Sequence, residues 1–277
     1  MHDDRLSEIA ESAEAENLFL LLDGAPASVK ATLGMASARV GGGVLLAMRD
    51  DPVGGFWNKA LGFGFAEPVT GDLIADVCDF FREQKSPGAN LQFAPSVLPP
   101  DWERICAANG LTAGTQWVKL ACPVEDFQSG TSDLRISAVD SRQASEAASL
   151  LMDVFGMPQG ALTDMFVSVA RHDQVQAFAA WDGDDMVAAG YVSFLGQAAA
   201  FSGGATLPAY RNRGAQSALL AARARAAAEA GCRWLISETA LPDEGSANPS
   251  LNNMLRAGFK PLYERRNWLW SPDQAAA

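Results

Sequence analysis

The stretch from Gly203 to Gly231 restricts what this chain can fold into more than any other part of it. It opens as a short extended segment after the apolar run Ala198-Ala199-Ala200-Phe201. Pro208, which has no N–H to donate, ends any strand ladder there. Arg211-Asn212-Arg213-Gly214 then makes a turn with two arginines and a glycine. From Ala215 to Ala230 nearly every residue favours helix, and Gly231 is the natural stop. Leu219, Ala222, Ala226 and Ala230 recur at three- and four-residue steps as one apolar face, with Arg223, Arg225 and Glu229 on other faces.

A strand, a tight Arg/Gly turn and a helix N-terminus together suit an anion. The first turn of a helix presents unpaired backbone N–H groups and a partial positive charge, and Gly214 lets a ligand approach the backbone closely. Arg211 and Arg213 add mobile charge, so the turn suits a pyrophosphate. On spacing alone, an ordinary strand–helix connection with solvated arginines remains open.

The segment Arg211-x-x-Gly214-x-Gln216 resembles the Arg/Gln-x-x-Gly-x-Gly/Ala signature of the GNAT acyltransferase superfamily, and the preceding Leu-Pro-x-Tyr-Arg is also typical of it. Gln216 stands where Gly or Ala is commoner. A second landmark, Asn248-Pro249-Ser250-Leu251-Asn252-Asn253-Met254-Leu255-Arg256-Ala257-Gly258-Phe259, is similar to the family's helix that closes the cofactor cleft and ends in Gly-Phe. The resemblance implies an α/β fold with a mixed sheet and acetyl-coenzyme A as co-substrate. It places the pantetheine arm on the backbone of Gly204, Ala205, Thr206 and Leu207. It places the pyrophosphate on the backbone N–H groups of Arg213, Gly214, Ala215, Gln216 and Ser217, with Arg211 beside them. Asn248 either caps the helix it precedes or reaches the cofactor.

Acyl transfer to an amine needs a base for the ammonium proton, donors for the developing oxyanion and an acid for the thiolate. The family's usual acid, a tyrosine four residues before the Gly-Phe, is here Met254. Tyr263 or Ser250 is the expected substitute, each with a structural role as its alternative. Glu238 is the expected base. Strand alternation puts it on the face of Trp234 and Ile236, and a carboxylate at a partly buried strand end can have a raised pKa. Its alternative is an ion pair with Arg213, Arg265 or Arg266.

Composition narrows the partners. The chain has 277 residues, of which 48% are hydrophobic, with 7 Trp and 14 Phe, enough for two packed domains. The net charge is −12 and uneven: residues 1–130 hold 9 Lys/Arg against 18 Asp/Glu, net −9, and residues 131–277 hold 12 against 15, net −3. This argues against nucleic acid and anionic membranes, and it is compatible with a cationic amine. No apolar run reaches membrane-spanning length. The acidic start Met-His-Asp-Asp-Arg lacks the charge pattern of a signal peptide, and Cys78, Cys106, Cys122 and Cys232 read as free buried thiols. The expectation is a cytoplasmic protein. With only His2 and His172, a histidine-based triad or metal site has almost no material.

In order, the pattern predicts a helix over 3–22, and a strand over 36–49 with Gly41-Gly42-Gly43 as a bulge. It then predicts a turn over 50–55, a strand over 59–65, a helix over 71–84, a strand over 89–93, a helix over 100–109 and a strand over 116–122. After a polar linker at 128–132 come a strand over 134–138, helices over 144–155 and 161–170, and a hairpin 175–181/186–195 around Asp182-Gly183-Asp184-Asp185. Strand 232–239, helix 249–257 and strand 262–270 complete the chain, with a tail expected to fray from Ser271. Phe155, Met157, Met165, Phe166 and Trp181 are either core or the lining of an acceptor pocket.

The segment Ile105–Leu111 mirrors Asn253–Phe259 at a constant offset of 148 residues. The layout resembles tandem acetyltransferases of the mycothiol synthase type, with domains at 1–127 and 133–270. The first copy is degenerate: Ala66-Glu67-Pro68-Val69-Thr70-Gly71-Asp72 stands where the second has its Arg/Gly turn, and Glu67 and Asp72 would repel a pyrophosphate. The expected function is an N-acetyltransferase that moves the acetyl group of acetyl-coenzyme A to a small primary amine through the C-terminal domain. The expected molecule is a monomer or homodimer without metal. The alternative is a catalytically weak acyl-coenzyme-A sensor or interaction module.

Overall fold

The alternation of strands and helices expected from the sequence is what the chain adopts in a computed structural model that describes residues 2–273. Among the described residues two compact units form, residues 2–119 with 262–273, and residues 120–261. Residues 274–277 of the expected frayed tail lie outside the described residues.

Unit 1 holds α1 (His2–Asp23), α2 (Ala27–Leu33), β1 (Met35–Val40), β2 (Gly43–Met48), β3 (Lys59–Leu61), α3 (Gly71–Glu83), β4 (Ala89–Gln92), α4 (Trp102–Asn109) and the greater part of β5 (Thr112–Pro123). The region 36–49, expected as one bulged strand, is a hairpin. Gly41 and Gly42 have φ of +54° and +77°, the signs a two-residue turn of the primed type needs, and Val40 pairs with Gly43 across it. The expected strand 59–65 stops at Leu61. β3 and β4 pair in parallel, joined by the crossover helix α3. The core on the α3/α4 face is built from Ile74, Val77 and Phe81 of α3, Trp102 and Ile105 of α4, and Leu45, Leu91, Phe93 and Trp270 of the sheet.

Trp270 belongs to the last strand of the chain. In unit 1 the strand order is β1-β2-β3-β4-β11-β5, where β11 is Lys260–Trp270 and pairs antiparallel with β4 from Asn267↔Gln92 to Trp270↔Ala89. The compact units thus differ from the domains 1–127 and 133–270 in where residues 262–270 fall. A buried ionic cluster gives the reason. Glu11 and Glu14 of α1 receive Arg265 of β11 at 2.6 and 2.9 Å, Lys119 of β5 pairs with Glu14, and the Tyr263 hydroxyl donates to Glu11 at 2.7 Å. Lys119 and Arg265 are 1% and 0% exposed. Four buried charges that cancel are stable only with every partner present, so β11 is held where its partners are.

Unit 2 holds β6 (Arg135–Ala138), α5 (Ala144–Phe155), α6 (Ala161–Val169), β7 (Val175–Asp182), β8 (Asp185–Leu195), β9 (Ala198–Thr206), α7 (Ala215–Glu229), β10 (Trp234–Ala240) and α8 (Pro249–Arg256). Its strand order is β10-β9-β8-β7-β6. The expected hairpin turns at Gly183–Asp184, with Asp182 opposite Asp185. β9 and β10 are parallel and joined by α7, repeating the β3–α3–β4 crossover of unit 1, and each crossover is followed by a second helix, α4 or α8. The four cysteines are buried free thiols, and burial pushes Cys78 up to about 12 and Cys106 and Cys122 up to about 11.

Candidate functional site

The parallel pairing of β9 with β10 runs from Ala198↔Trp234 to Ala200↔Ile236 and goes no further, although β9 continues to Thr206 and β10 to Ala240. On its other side β9 pairs with β8, and the register shifts between Ala189 and Tyr191. Gly203 and Gly204 are the extra residues opposite Gly190, and Gly203 is left-handed at φ +57°. A bulge of this kind bends the strand and leaves backbone groups outside the ladder. Residues 203–206, which include Ala205 and Thr206, therefore border the gap where β9 and β10 part company. Leu207 closes the strand, its N–H donating to Val187 O at 2.9 Å.

Beyond Leu207 the chain makes a 3-10 turn, Pro208–Tyr210, and enters α7 through Gly214. Gly214 has φ +76°, and a Cβ there would lie 2.4 Å from Thr131 O, so only glycine fits on both counts. Among the described residues no side chain caps α7, and its first turn holds no acid. Ala215, Gln216 and Ser217 begin the helix with their N–H groups directed out of its end, as the resemblance requires. The corresponding start of α3 in unit 1 is closed. Thr70 accepts a hydrogen bond from Leu73 N at 3.2 Å, Asp72 sits in the first turn and Glu67 is exposed just before it.

The two arginines of the turn separate. Arg211 is exposed and, among the described residues, has no ion-pair partner. Arg213 reaches back to Asp182 at 2.7 and 3.2 Å and lies 5.5 Å from the Tyr210 ring centroid. The guanidinium holds the Asp182 carboxyl below the usual range. The Arg213 carbonyl accepts from Ser132 Oγ at 2.6 Å, so the segment 128–132, expected as a linker, falls inside unit 2 and is tied to this turn.

α8 is tied to the same helix. Gln216 Nε2 donates to Ser250 Oγ at 3.0 Å, and Asn253 Nδ2 donates to Gln216 Oε1. The side chain that departs from the family pattern thus turns towards α8. Asn248 is the N-cap of α8: Oδ1 accepts from Ser250 N and Leu251 N at 2.9 and 3.1 Å, and Nδ2 donates to Thr239 Oγ1 and Ala240 O. Of its two expected roles, the cap is the one this geometry fills. Glu238, half-buried on β10, lies two residues past the last rung shared with β9. Met254 is 3% exposed. Tyr263 belongs to unit 1, where its hydroxyl donates to Glu11 and burial beside that carboxylate pushes its phenol well above the usual range. Among the aromatic and Met residues considered for an acceptor pocket, Met165 and Trp181 are core, while Phe155 is 49% exposed.

Two buried groups went unforeseen. Tyr191 of β8 stacks edge-on against Phe166 at 5.6 Å, and its hydroxyl has no hydrogen-bond partner among the described residues. Arg223, expected off the apolar face of α7, is 3% exposed. The signal for it was Gly190, where a Cβ would stand 3.1 Å from its guanidinium carbon.

Residues 125–236 match the family model described as an acetyltransferase (GNAT) domain, a span that holds β9, the turn and α7. Among curated proteins none matches significantly. Several solved structures share the fold. A GCN5-related N-acetyltransferase from Kribbella flavida is 16% identical with a TM-score of 0.60, covering 88% of this chain and 93% of that one. A tandem GNAT protein from the clavulanic acid biosynthesis pathway is 15% identical with a TM-score of 0.59, covering 95% and 96%. A GCN5-related N-acetyltransferase from Sphaerobacter thermophilus is 12% identical with a TM-score of 0.56, covering 83% and 80%. The chain has the fold of GNAT proteins, and its residues 125–236 are similar to the GNAT acetyltransferase domain.

Proposed function

We propose that unit 2 transfers the acetyl group of acetyl-coenzyme A to a primary amine of a small molecule. One observation carries this reading: the strand that parts from its parallel neighbour leads, through the Pro208–Gly214 turn, into an uncapped helix N-terminus, all within the segment matched to the acetyltransferase domain. The pantetheine arm lies along Ala205, Thr206 and Leu207. The pyrophosphate meets the N–H groups of Gly214, Ala215, Gln216 and Ser217, with the exposed Arg211 as the free cation of the turn. Arg213 contributes through its backbone while its side chain pairs with Asp182.

In the reaction Glu238 takes a proton from the ammonium group. The freed lone pair then attacks the thioester carbon, and the carbonyl π pair moves onto oxygen. Collapse of the adduct re-forms the carbonyl and breaks the C–S bond, and the second proton of the now cationic nitrogen passes to the departing thiolate, directly or through water, giving neutral amide and free coenzyme A thiol. Tyr263 has no part in this scheme, because its proton is committed to Glu11. With Met254 at the usual acid position, the thiolate leaves directly or takes its proton from water. The buried Met254 also supports a second reading, an acyl-coenzyme-A-binding module with little turnover.

The test is calorimetric titration with acetyl-coenzyme A of the intact protein and of the Arg211→Glu/Gly214→Glu double variant. Binding to one site, lost in the variant, is the expected result; no binding to the intact protein refutes the reading. An amine panel with thiol detection separates the two alternatives, since only the enzyme releases free coenzyme A.

A further inference from the structure

Arg223 lies on the inner side of α7, beneath the β9 bulge. Its Nε donates to Leu219 O at 3.1 Å and Nη1 to Tyr191 O at 3.3 Å, and its guanidinium carbon sits 4.7 Å from the Phe201 ring centroid. A Cβ at Gly190 would stand 3.1 Å from that carbon, and one at Gly204 would stand 3.7 Å from Nη2. The two strands are cleared of side chains where the guanidinium meets them. No carboxylate among the described residues pairs with it; burial alone acts on it, lowering it to about 10, so it remains charged at neutral pH. A buried charge without a counter-ion is costly, and an aliphatic side chain would fill the same space at less cost. Beside the charge is Gly204, which together with Gly203 forms the part of β9 with no register partner on β8 or β10.

We propose that Arg223 is a positioning residue for acyl transfer, a fixed positive charge beneath the Gly203–Gly204 bulge that strengthens the bulge's backbone donors towards the thioester oxygen. The inference rests on the acetyltransferase reading of unit 2. As the amine nitrogen bonds to the thioester carbon, the carbonyl π pair becomes an oxyanion, and a cation held in a low-dielectric interior stabilises that charge through the intervening peptide. Arg223 neither gains nor loses a proton in this step. Its hydrogen bonds to the Leu219 and Tyr191 carbonyls fix it in place before substrate arrives.

The experiment needs no knowledge of the amine. The carbonyl stretch of acetyl-coenzyme A, isotopically labelled at the thioester carbon, is read by infrared difference spectroscopy in complex with the wild-type protein and with Arg223→Met, Arg223→Gln and Arg223→Lys. Calorimetry gives Kd for each. The expected result is a band below that of the free thioester in the wild type, a return to the free position in the Met and Gln variants, and retention of most of the shift in the Lys variant, with Kd unchanged throughout. The Gln variant keeps a donor for the two carbonyls and reads the loss of charge if the Met variant does not fold. With an acceptor in hand, kcat of the Gln variant falls about tenfold, less than the roughly hundredfold loss of a direct oxyanion donor. A wild-type band in the Gln variant, or equal bands in the Lys and Gln variants, overturns the role of the charge. Binding without any shift in the wild type removes this inference alone, whereas absence of binding removes the acetyltransferase reading and this inference with it.

Discussion

At the scale of single residues, the division of labour between Glu238 and Tyr263 is open to direct measurement. A general base contributes roughly a hundredfold or more, so Glu238→Gln is expected to lower turnover at least about tenfold while acetyl-coenzyme A binds as before. Unchanged turnover removes Glu238 from the mechanism. Tyr263→Phe deletes a hydroxyl that donates to a buried carboxylate. It is expected to cost about 2 kcal/mol in urea unfolding while kcat stays at the wild-type value; a loss of kcat at full stability would restore Tyr263 as the acid. Asp182 offers a pH signature. Its carboxyl is held low by Arg213, so the pair stabilises the fold above the ordinary Asp value and is lost as pH falls through the lowered one. The difference in Tm between wild type and Asp182→Asn should be present at neutral pH and close well below about pH 4.

At the scale of elements, α7 and α8 act as a pair. α7 supplies open N–H groups, and α8 is fixed against it by the Gln216–Ser250 and Gln216–Asn253 bonds. The start of α8 is set by Asn248, whose side chain both caps the helix and holds the end of β10. Asn248→Ala is expected to cost about 1 kcal/mol from the lost cap, and more if the bonds to Thr239 and Ala240 count independently. Thermal unfolding with and without acetyl-coenzyme A reads it: a loss of stability with full affinity marks a cap, and a loss of affinity at full stability marks a ligand contact. The contrast with α3 is physical. Thr70 and Asp72 spend the first turn of that helix on its own chain, and no anion site is left there.

At the scale of the whole molecule, residues 262–273 complete the unit that begins the chain. A protein ending at Pro261 loses Arg265 and Tyr263 from the Glu11/Glu14 cluster and Trp270 from the α3/α4 core. Breaking a buried ion pair by removing one partner typically costs about 3–5 kcal/mol, and here one partner leaves two glutamates unbalanced beside Lys119. The truncated protein is expected to lose cooperative folding of unit 1, seen as collapse of amide-exchange protection in α1 and β2. Full protection there would show that β11 is dispensable.

The sequence alone determined most of the elements and singled out the Arg211–Gln216 turn. Periodicity and Pro208, Gly214 and Gly258 mark where a strand stops, a helix starts and a helix stops, and each acts through backbone conformation within a few residues. For that reason the Arg211–Gln216 turn and the two-copy layout were legible without coordinates. The hairpin at Gly41–Gly42 was not, because three glycines permit a bulge and a turn equally until the register of Val40 with Gly43 is known. Nor were the fate of Tyr263 and the burial of Arg223. Tyr263 meets Glu11 across 252 positions of chain and Arg223 meets Tyr191 across 32. Such contacts arise only when strands choose their neighbours, a choice that depends on the joint burial of distant charges and that local sequence pattern does not carry.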